Sequence, residues 1–251
     1  MKYLYALTAI PMSSPGEGML GEPLRVVRCD GIFAVLGDVP RLPRPTPELL
    51  QKQDSVVRRL ATCTDALLPA RFGQAASSEE TLLDSIRSDA RDLRARLELV
   101  RGCEQMTLRF FATRLDGDGA TNARAGDATH GTDPVSGDDD RGPSRESPGL
   151  AYLRARSTLY RSPTAESSLP GAAALLVRLR GVTRGEKFRK HDRAPLVASV
   201  YHLVPRTSIA TYMARISEAR PLAPSFRISM SGPWPPYAFA QEPSPRDELS
   251  L

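Results

Sequence analysis

A chain of 251 residues with 41% apolar content can close a core as one large or two small domains, and no run of about 18 apolar residues is present to cross a membrane. The formal charge of +5 rests on 34 basic residues, of which only Lys2, Lys52, Lys187 and Lys190 are lysines. The arginines alternate with acids, as in RSDARDLRAR (87–96), which is the pattern of solvated helix faces and speaks against a phosphate-binding groove. KYLYAL (2–7) reads as a strand, and PLRVVRCDGIFAVLGDV (23–39) as further strand material broken near Asp30-Gly31. A helix is expected from Pro47, with Thr46 as N-cap and Leu49, Leu50, Gln53, Val56, Val57, Leu60 and Thr64 on one face. ALLPARFG (66–73) returns as a strand. SSEETLLDSIRSDARDLRARLELVRG (77–102) opens with a capping box, Ser77-x-x-Glu80, and carries Leu82, Ile86, Ala90, Leu93, Leu97 and Val100 at helical steps as far as Gly102. EQMTLRFFA (104–112) alternates Met106, Leu108 and Phe110 and is expected to close the first half as a strand.

Residues 116–148 hold no Leu, Ile, Phe, Tyr or Trp and carry eight acids against three bases. Such a stretch cannot bury enough apolar surface to offset the entropy of ordering it, so a disordered acidic linker is expected. Beyond it, PGLAYLRARSTLYR (148–161) and LPGAAALLVRLRG (169–181) look helical, interrupted by SPTAESSLPG (162–171). APLVASVYHLVP (194–205) reads as a buried strand, and RTSIATYMARISEAR (206–220) as a helix with Ile209, Met213 and Ile216 inward. SFRISMSG (225–232) reads as an alternating strand. The division is therefore an N-terminal α+β domain (1–115), the linker (116–148) and a C-terminal α+β domain (149–251), the first with helices on one face of a mainly antiparallel sheet.

The chain then runs into SGPWPPYAFA (231–240), which holds the one tryptophan among three prolines. Proline fixes φ and offers no N–H, so Pro233, Pro235 and Pro236 exclude a helix and a central strand and leave a stiff, extended strap. Trp234 is expected to pack on the apolar residues of the C-terminal domain, which leaves Tyr237 or Phe239 to meet a partner.

The motifs of common chemistries do not occur. There is no G-x-S-x-G elbow, no C-x-x-C or H-x-x-x-H, no G-x-x-x-x-G-K-[ST], and no G-x-G-x-x-G directly after a strand. DGDGATNARAGD (116–127) fails as a calcium loop, with Thr121 where glycine is needed and Asp127 where glutamate is needed, and the Asp138-Asp139-Asp140 run reads as solvated linker. The three histidines are scattered: His130 in the linker, His191 at the surface, His202 as a core or sheet-face residue. Cys29, Cys63 and Cys103 are odd in number and far apart, which argues against a disulfide framework and fits a reducing compartment. The first residues lack the basic start and cleavage pattern of a secretory signal, so a cytosolic chain is expected. A non-enzymatic structural or interaction protein is the reading that results.

Four segments carry a resemblance. The GPWPPY-aromatic terminus (232–239), LLPARFGQAASSEE (67–80), RGCEQMTLRF (101–110) and PGLAYLRAR (148–156) occur in the order in which the gas vesicle protein F/L family has similar segments. The chain resembles that family over nearly its whole length apart from the linker. It differs in having Gln53 where the family often has histidine, and Ala70 in LLPARFG. The resemblance implies an accessory or structural protein without cofactor or metal, whose first domain is ferredoxin-like. It further implies association with the hydrophobic gas vesicle shell protein and other accessory proteins, at the gas vesicle and in the cytoplasm before assembly, with no nucleic acid or membrane partner. The motif residues, and so the candidate contacts, are Arg71, Phe72, Gly73, Gly232, Pro233, Trp234, Pro235, Pro236, Tyr237 and Phe239. The alternative is a basic nucleic-acid-binding module, which phosphate contacts would make steeply salt-dependent.

Overall fold

The computed structural model describes residues 1–113 and 165–240, so the acidic stretch 116–148 with His130, the segment PGLAYLRAR and the residues after 240 lie outside the described residues. The first sheet contains β1 (Lys2–Thr8), β2 (Leu24–Cys29), β3 (Ile32–Asp38) and β4 (Leu67–Pro69) in the order β2-β3-β1-β4, with the two-residue β5 (Ala75–Ala76) also on β1. All pairings are antiparallel. The β2–β3 turn falls at Asp30-Gly31, with φ of 47° and 75°. Both central positions of this two-residue connection need positive φ, which Asp-Gly supplies at low cost.

Helix α1 (Pro47–Thr62) starts as expected, the Thr46 hydroxyl accepting the Leu49 N–H at 3.3 Å. Its buried face is Gln53, Val56, Val57 and Leu60. Leu50 is in phase with them but lies in the first turn, ahead of the buried stretch, and is 46% exposed. The helix expected over 77–102 is two helices, α2 (Glu79–Ser88) and α3 (Ala90–Val100), separated at Asp89. A straight helix of that length would run well over 30 Å, whereas the seven-residue strands beneath span about 24 Å. The break keeps both parts over the sheet. The cap is Ser78, one residue later than Ser77, because Ser78 has the extended backbone and accepts the Thr81 N–H at 3.1 Å.

Tyr3, Tyr5 and Val35 pack on Val56, Val57 and Leu60 of α1, while Leu4, Ile32 and Leu36 pack with Leu82, Ile86, Leu97 and Val100 of α2 and α3. The helices are thus shared between both faces, where the sequence reading placed them on one. KYLYALT is apolar at both phases of the strand, and each phase needs its own cover.

The second sheet orders β7 (Gly185–Lys190), β8 (Leu196–Pro205), β6 (Cys103–Ala112) and β9 (Phe226–Trp234), again antiparallel throughout. Strand β6, expected to close the first half, pairs instead with β8 and β9 at the centre of this sheet. Its alternating Met106, Leu108 and Phe110 need an apolar layer, and they find it in Leu175, Leu176, Leu179, Tyr212 and Ile216. Those residues come from α5 (Ala173–Leu179) and α6 (Ile209–Ala219), with the short α4 (Ala165–Ser168) beside them. The buried face of α6 centres on Tyr212, Ile216 and Ala219, which turns Met213 outward at 46% exposure. Strand, helices, hairpin, helix, strand with the spatial order second-third-first-fourth is a ferredoxin-like arrangement. The first sheet has the same spatial order, a loop over residues 9–23 standing in for its first crossover helix.

Side chains of the second half cap helices of the first. Arg206 Nη2 donates to the carbonyls of Ala61 at 3.1 Å and Thr64 at 3.4 Å at the end of α1, and Arg184 Nη1 donates to Leu99 O at 3.3 Å near the end of α3. A cation at a helix C-terminus satisfies carbonyls that have no intrahelical donor.

Candidate functional site

The strap begins inside an edge strand. Opposite Met106, the β6–β9 register shifts so that Gly232 and Pro233 lie between the pairs Thr107–Ser231 and Gln105–Trp234. A proline is tolerated at an edge bulge because no ladder donor is needed there. Gly232 has φ of 127°, and a Cβ there would lie 2.7 Å from Gln105 O and 2.9 Å from Met106 Sδ. Only glycine fits.

After Trp234 the chain does not stay extended, since Tyr237–Phe239 form one turn of 3-10 helix. The Ala238 N–H donates to Gln105 Oε1 at 2.7 Å, and Phe239, 3% exposed, enters the core that contains Leu68 and Leu203. Tyr237 donates its hydroxyl to Asp54 Oδ1 at 2.7 Å, while Arg58 Nε reaches Asp54 Oδ2 at 2.7 Å. Burial, and then the bond to Asp54, push the Tyr237 phenol upward, so it remains a neutral donor. The Arg58 guanidinium lies 4.0 Å from the Trp234 ring centroid, a cation–π contact that also covers apolar surface. Trp234 therefore rests on α1 and not on the apolar residues of the second half. The reason is reach: the strap leaves the edge of the second sheet towards the first, where Asp54 and Arg58 receive it.

Beside Trp234 a cavity of about 380 Å³ opens between α1, the start of β6 and the strap, lined among others by Ala61, Leu67, Val100, Arg206 and Pro233 to Pro236. Cys103 also borders it, its thiol pushed up by burial.

Arg71, Phe72 and Gly73 form the turn between β4 and β5. Gly73 has φ of 85°, its N–H donating to the Tyr3 hydroxyl at 2.8 Å, and Phe72 meets Tyr3 edge-on at 6.3 Å between ring centroids. Phe72 is half-buried and Arg71 exposed. A second groove of about 620 Å³ is bordered by Arg71, Phe72, Gly73 and Leu93, and by Ala240 at the end of the strap. Two motifs more than 150 positions apart thus meet on either side of β4. No sequence spacing signals this, because it depends on the strap crossing from one sheet to the other.

His191 and His202 take no part. His202 is 1% exposed, with Nδ1 at 2.7 Å from the Tyr212 hydroxyl and Nε2 at 3.1 Å from Glu186 Oε2. His191 is half-buried rather than at the surface, held through Nε2 to Ser199 Oγ at 2.9 Å. Among the described residues no group of three or more His, Cys, Asp or Glu could hold a metal ion. Cys29, Cys63 and Cys103 are free thiols, and none of the described helices is long and apolar enough to cross a membrane.

The fold and its strap define a two-sheet α+β protein whose terminal segment crosses from one sheet to the other. The model of the gas vesicle synthesis protein GvpL/GvpF family matches residues 1–241, and the chain belongs to that family. Its structure is similar to the crystal structure of the gas vesicle protein GvpF from Anabaena sp. PCC7120, with a TM-score of 0.67 and 14% identity over 97% of both chains. It is similarly related to GvpF from Microcystis aeruginosa, with a TM-score of 0.66 and 14% identity over 96% of this chain and 99% of the other. No curated protein matches the sequence.

Proposed function

We propose that this chain is a non-enzymatic gas vesicle accessory protein that binds the hydrophobic shell subunit and supports vesicle assembly. It acts at the gas vesicle and, before assembly, in the cytoplasm, together with other accessory proteins and without a nucleic acid or membrane partner. Membership of the gas vesicle synthesis family over residues 1–241 carries the reading. The meeting of both family motifs around β4 supports a contact region there. A shell subunit with an apolar face would aggregate in water unless something covered that face or seeded its ordered growth. The cavity beside Trp234 and the groove beside Phe72 are the surfaces assigned to that task.

The test is co-purification of the shell subunit with the full chain at rising salt. Apolar contact tolerates screening, so the complex is expected to persist at moderate ionic strength, and Trp234→Ala combined with Phe72→Ala should weaken it. Failure to form a complex, or its loss at moderate salt, would overturn the reading.

A further inference from the structure

The second sheet has one face under α5 and α6 and a second face with a different chemistry. Alternation along the strands places Thr107, Arg109 and Phe111 of β6, Ser199 and Tyr201 of β8, Lys187 and Arg189 of β7, and Arg227, Ser229 and Ser231 of β9 on that second face. Arg109, Arg189 and Arg227 are all exposed. The register sets Arg189 opposite Ser199 and Ser199 opposite Arg109, so the two arginines are two strands apart, about 10 Å. Arg227 stands opposite Phe111, one step along from Arg109.

Two of these guanidinium groups are held in place by the sheet itself. Arg109 Nη1 donates to Ser231 Oγ at 3.2 Å, and Arg227 lies 4.4 Å from the Phe111 ring centroid. Among the described residues none of the three arginines forms an ion pair with an acid. Glu186 belongs to the opposite face, bonded to His202, and Glu104 pairs with Arg206. Among the described residues, the acid that acts on His191 at this face is Asp192. His191 is held below its usual range, first by burial and then by the charges of Arg189 and Arg109. Arg189 and Arg109 thus add to the effect of burial, as cations close to the ring do.

We propose that this face is a docking surface for an acidic polypeptide segment, whose carboxylates pair with Arg109, Arg189 and Arg227. Arginines on positions one and two strands apart, about 5–10 Å, with fork-shaped guanidinium groups, suit carboxylates at alternate positions of an extended chain, which recur at roughly 7 Å. Charge complementarity is the first argument for this occupant. The second separates it from single-stranded nucleic acid, which needs open aromatic faces for its bases. Here Phe111 is already covered by Arg227, and Tyr201 packs against the core of the first half.

The test is fluorescence anisotropy of the full chain with three labelled probes: a ten-residue peptide alternating Glu and Ser, its Gln/Ser counterpart, and an oligothymidine. Saturable binding of the Glu peptide alone, falling with salt, is expected. The triple variant Arg109→Gln, Arg189→Gln, Arg227→Gln should bind it at least about tenfold more weakly, while its thermal melting stays with the parent. A control variant with Arg41, Arg44 and Arg91 changed to Gln should bind as the parent does. No binding of the Glu peptide, equal binding of the Gln peptide, tighter binding of the oligothymidine, or an unaffected triple variant would each overturn the proposal. If the triple variant melts early, single Arg→Gln variants that keep the parental melting curve decide the matter by the same comparison.

Discussion

Gln53 lies 5% exposed on the inner face of α1, where an amide is stable only if both of its ends are satisfied. Its Oε1 accepts from the Tyr3 hydroxyl at 2.5 Å, and its Nε2 donates to Ala70 O at 3.2 Å. The same Tyr3 hydroxyl accepts the Gly73 N–H, so one chain of bonds runs from α1 through β1 to the Arg71–Gly73 turn. Burial raises the Tyr3 phenol, which keeps it a neutral donor at physiological pH. Gln53→Ala would strand the Tyr3 donor and the Ala70 carbonyl, and leaving buried polar groups unpaired costs about 1–3 kcal/mol. Urea denaturation should show a lower midpoint with an unchanged slope. A midpoint equal to that of the parent would mean that water replaces the amide and that the chain of bonds is not structural.

Between elements, Glu186 of β7, His202 of β8 and Tyr212 of α6 tie an edge strand, a central strand and the covering helix, and Glu186 also accepts the Ala165 N–H of α4 at 3.2 Å. The bond from His202 is the main cause that holds the Glu186 carboxyl below its ordinary 4.5. A carboxyl depressed in the folded state contributes stability that is present above its unfolded pKa and lost as pH falls through the folded value. The contribution of Glu186 is therefore present at neutral pH, starts to fall near the unfolded value of about 4.3 and is lost as the pH drops through the lower folded value. The stability gap between the parent and Glu186→Gln should be widest near neutrality and should close on acidification, as followed by denaturation between pH 2.5 and 7. A gap constant over that range would show that the carboxylate charge has no part in the link.

For the whole molecule, the strap is the piece that belongs to both halves. It leaves β9 of the second sheet, sets Trp234 and Tyr237 on α1, and buries Phe239 beside Leu68 of β4 and Leu203 of β8. Phe239 also lies close enough to Gly185 that a Cβ there would stand 3.4 Å from its ring. Truncating a buried phenylalanine to alanine removes apolar contacts and leaves a void, at about 3–5 kcal/mol. Phe239→Ala should thus lower the melting temperature and loosen the strap, shifting Trp234 emission to the red and making it more open to iodide. Since Trp234 is the one tryptophan, the signal reports this site alone. Lost stability with unaltered Trp234 emission and quenching would mean that the strap is held by Arg58 and Asp54 without Phe239.

Much of the architecture is legible in local chemistry. The Asp30-Gly31 turn, the Thr46-Pro47 helix start, the continuous apolar runs of β1 and β8 and the alternation of Met106, Leu108 and Phe110 in β6 each follow from steric or periodic rules that act over a few residues. The family likewise is written in GPWPPY and LLPARFG, and Gly232 is explained once β6 is seen pressing on it. Strand β7 is not legible, since GEKFRK has Phe188 as its one large apolar residue and an edge strand needs little more. The break at Asp89 depends on the length of the sheet beneath it, and the membership of β6 depends on which helical layer covers Met106, Leu108 and Phe110. Apart from β7 and the 3-10 turn of the strap, the sequence by itself determined the element types, together with the α+β class and the motif residues, because these depend on backbone preference and periodicity. Tertiary structure alone decided that Trp234 lies on Arg58 and that Phe239 is enclosed, because burial and charge contacts are set by what distant segments bring to the same place.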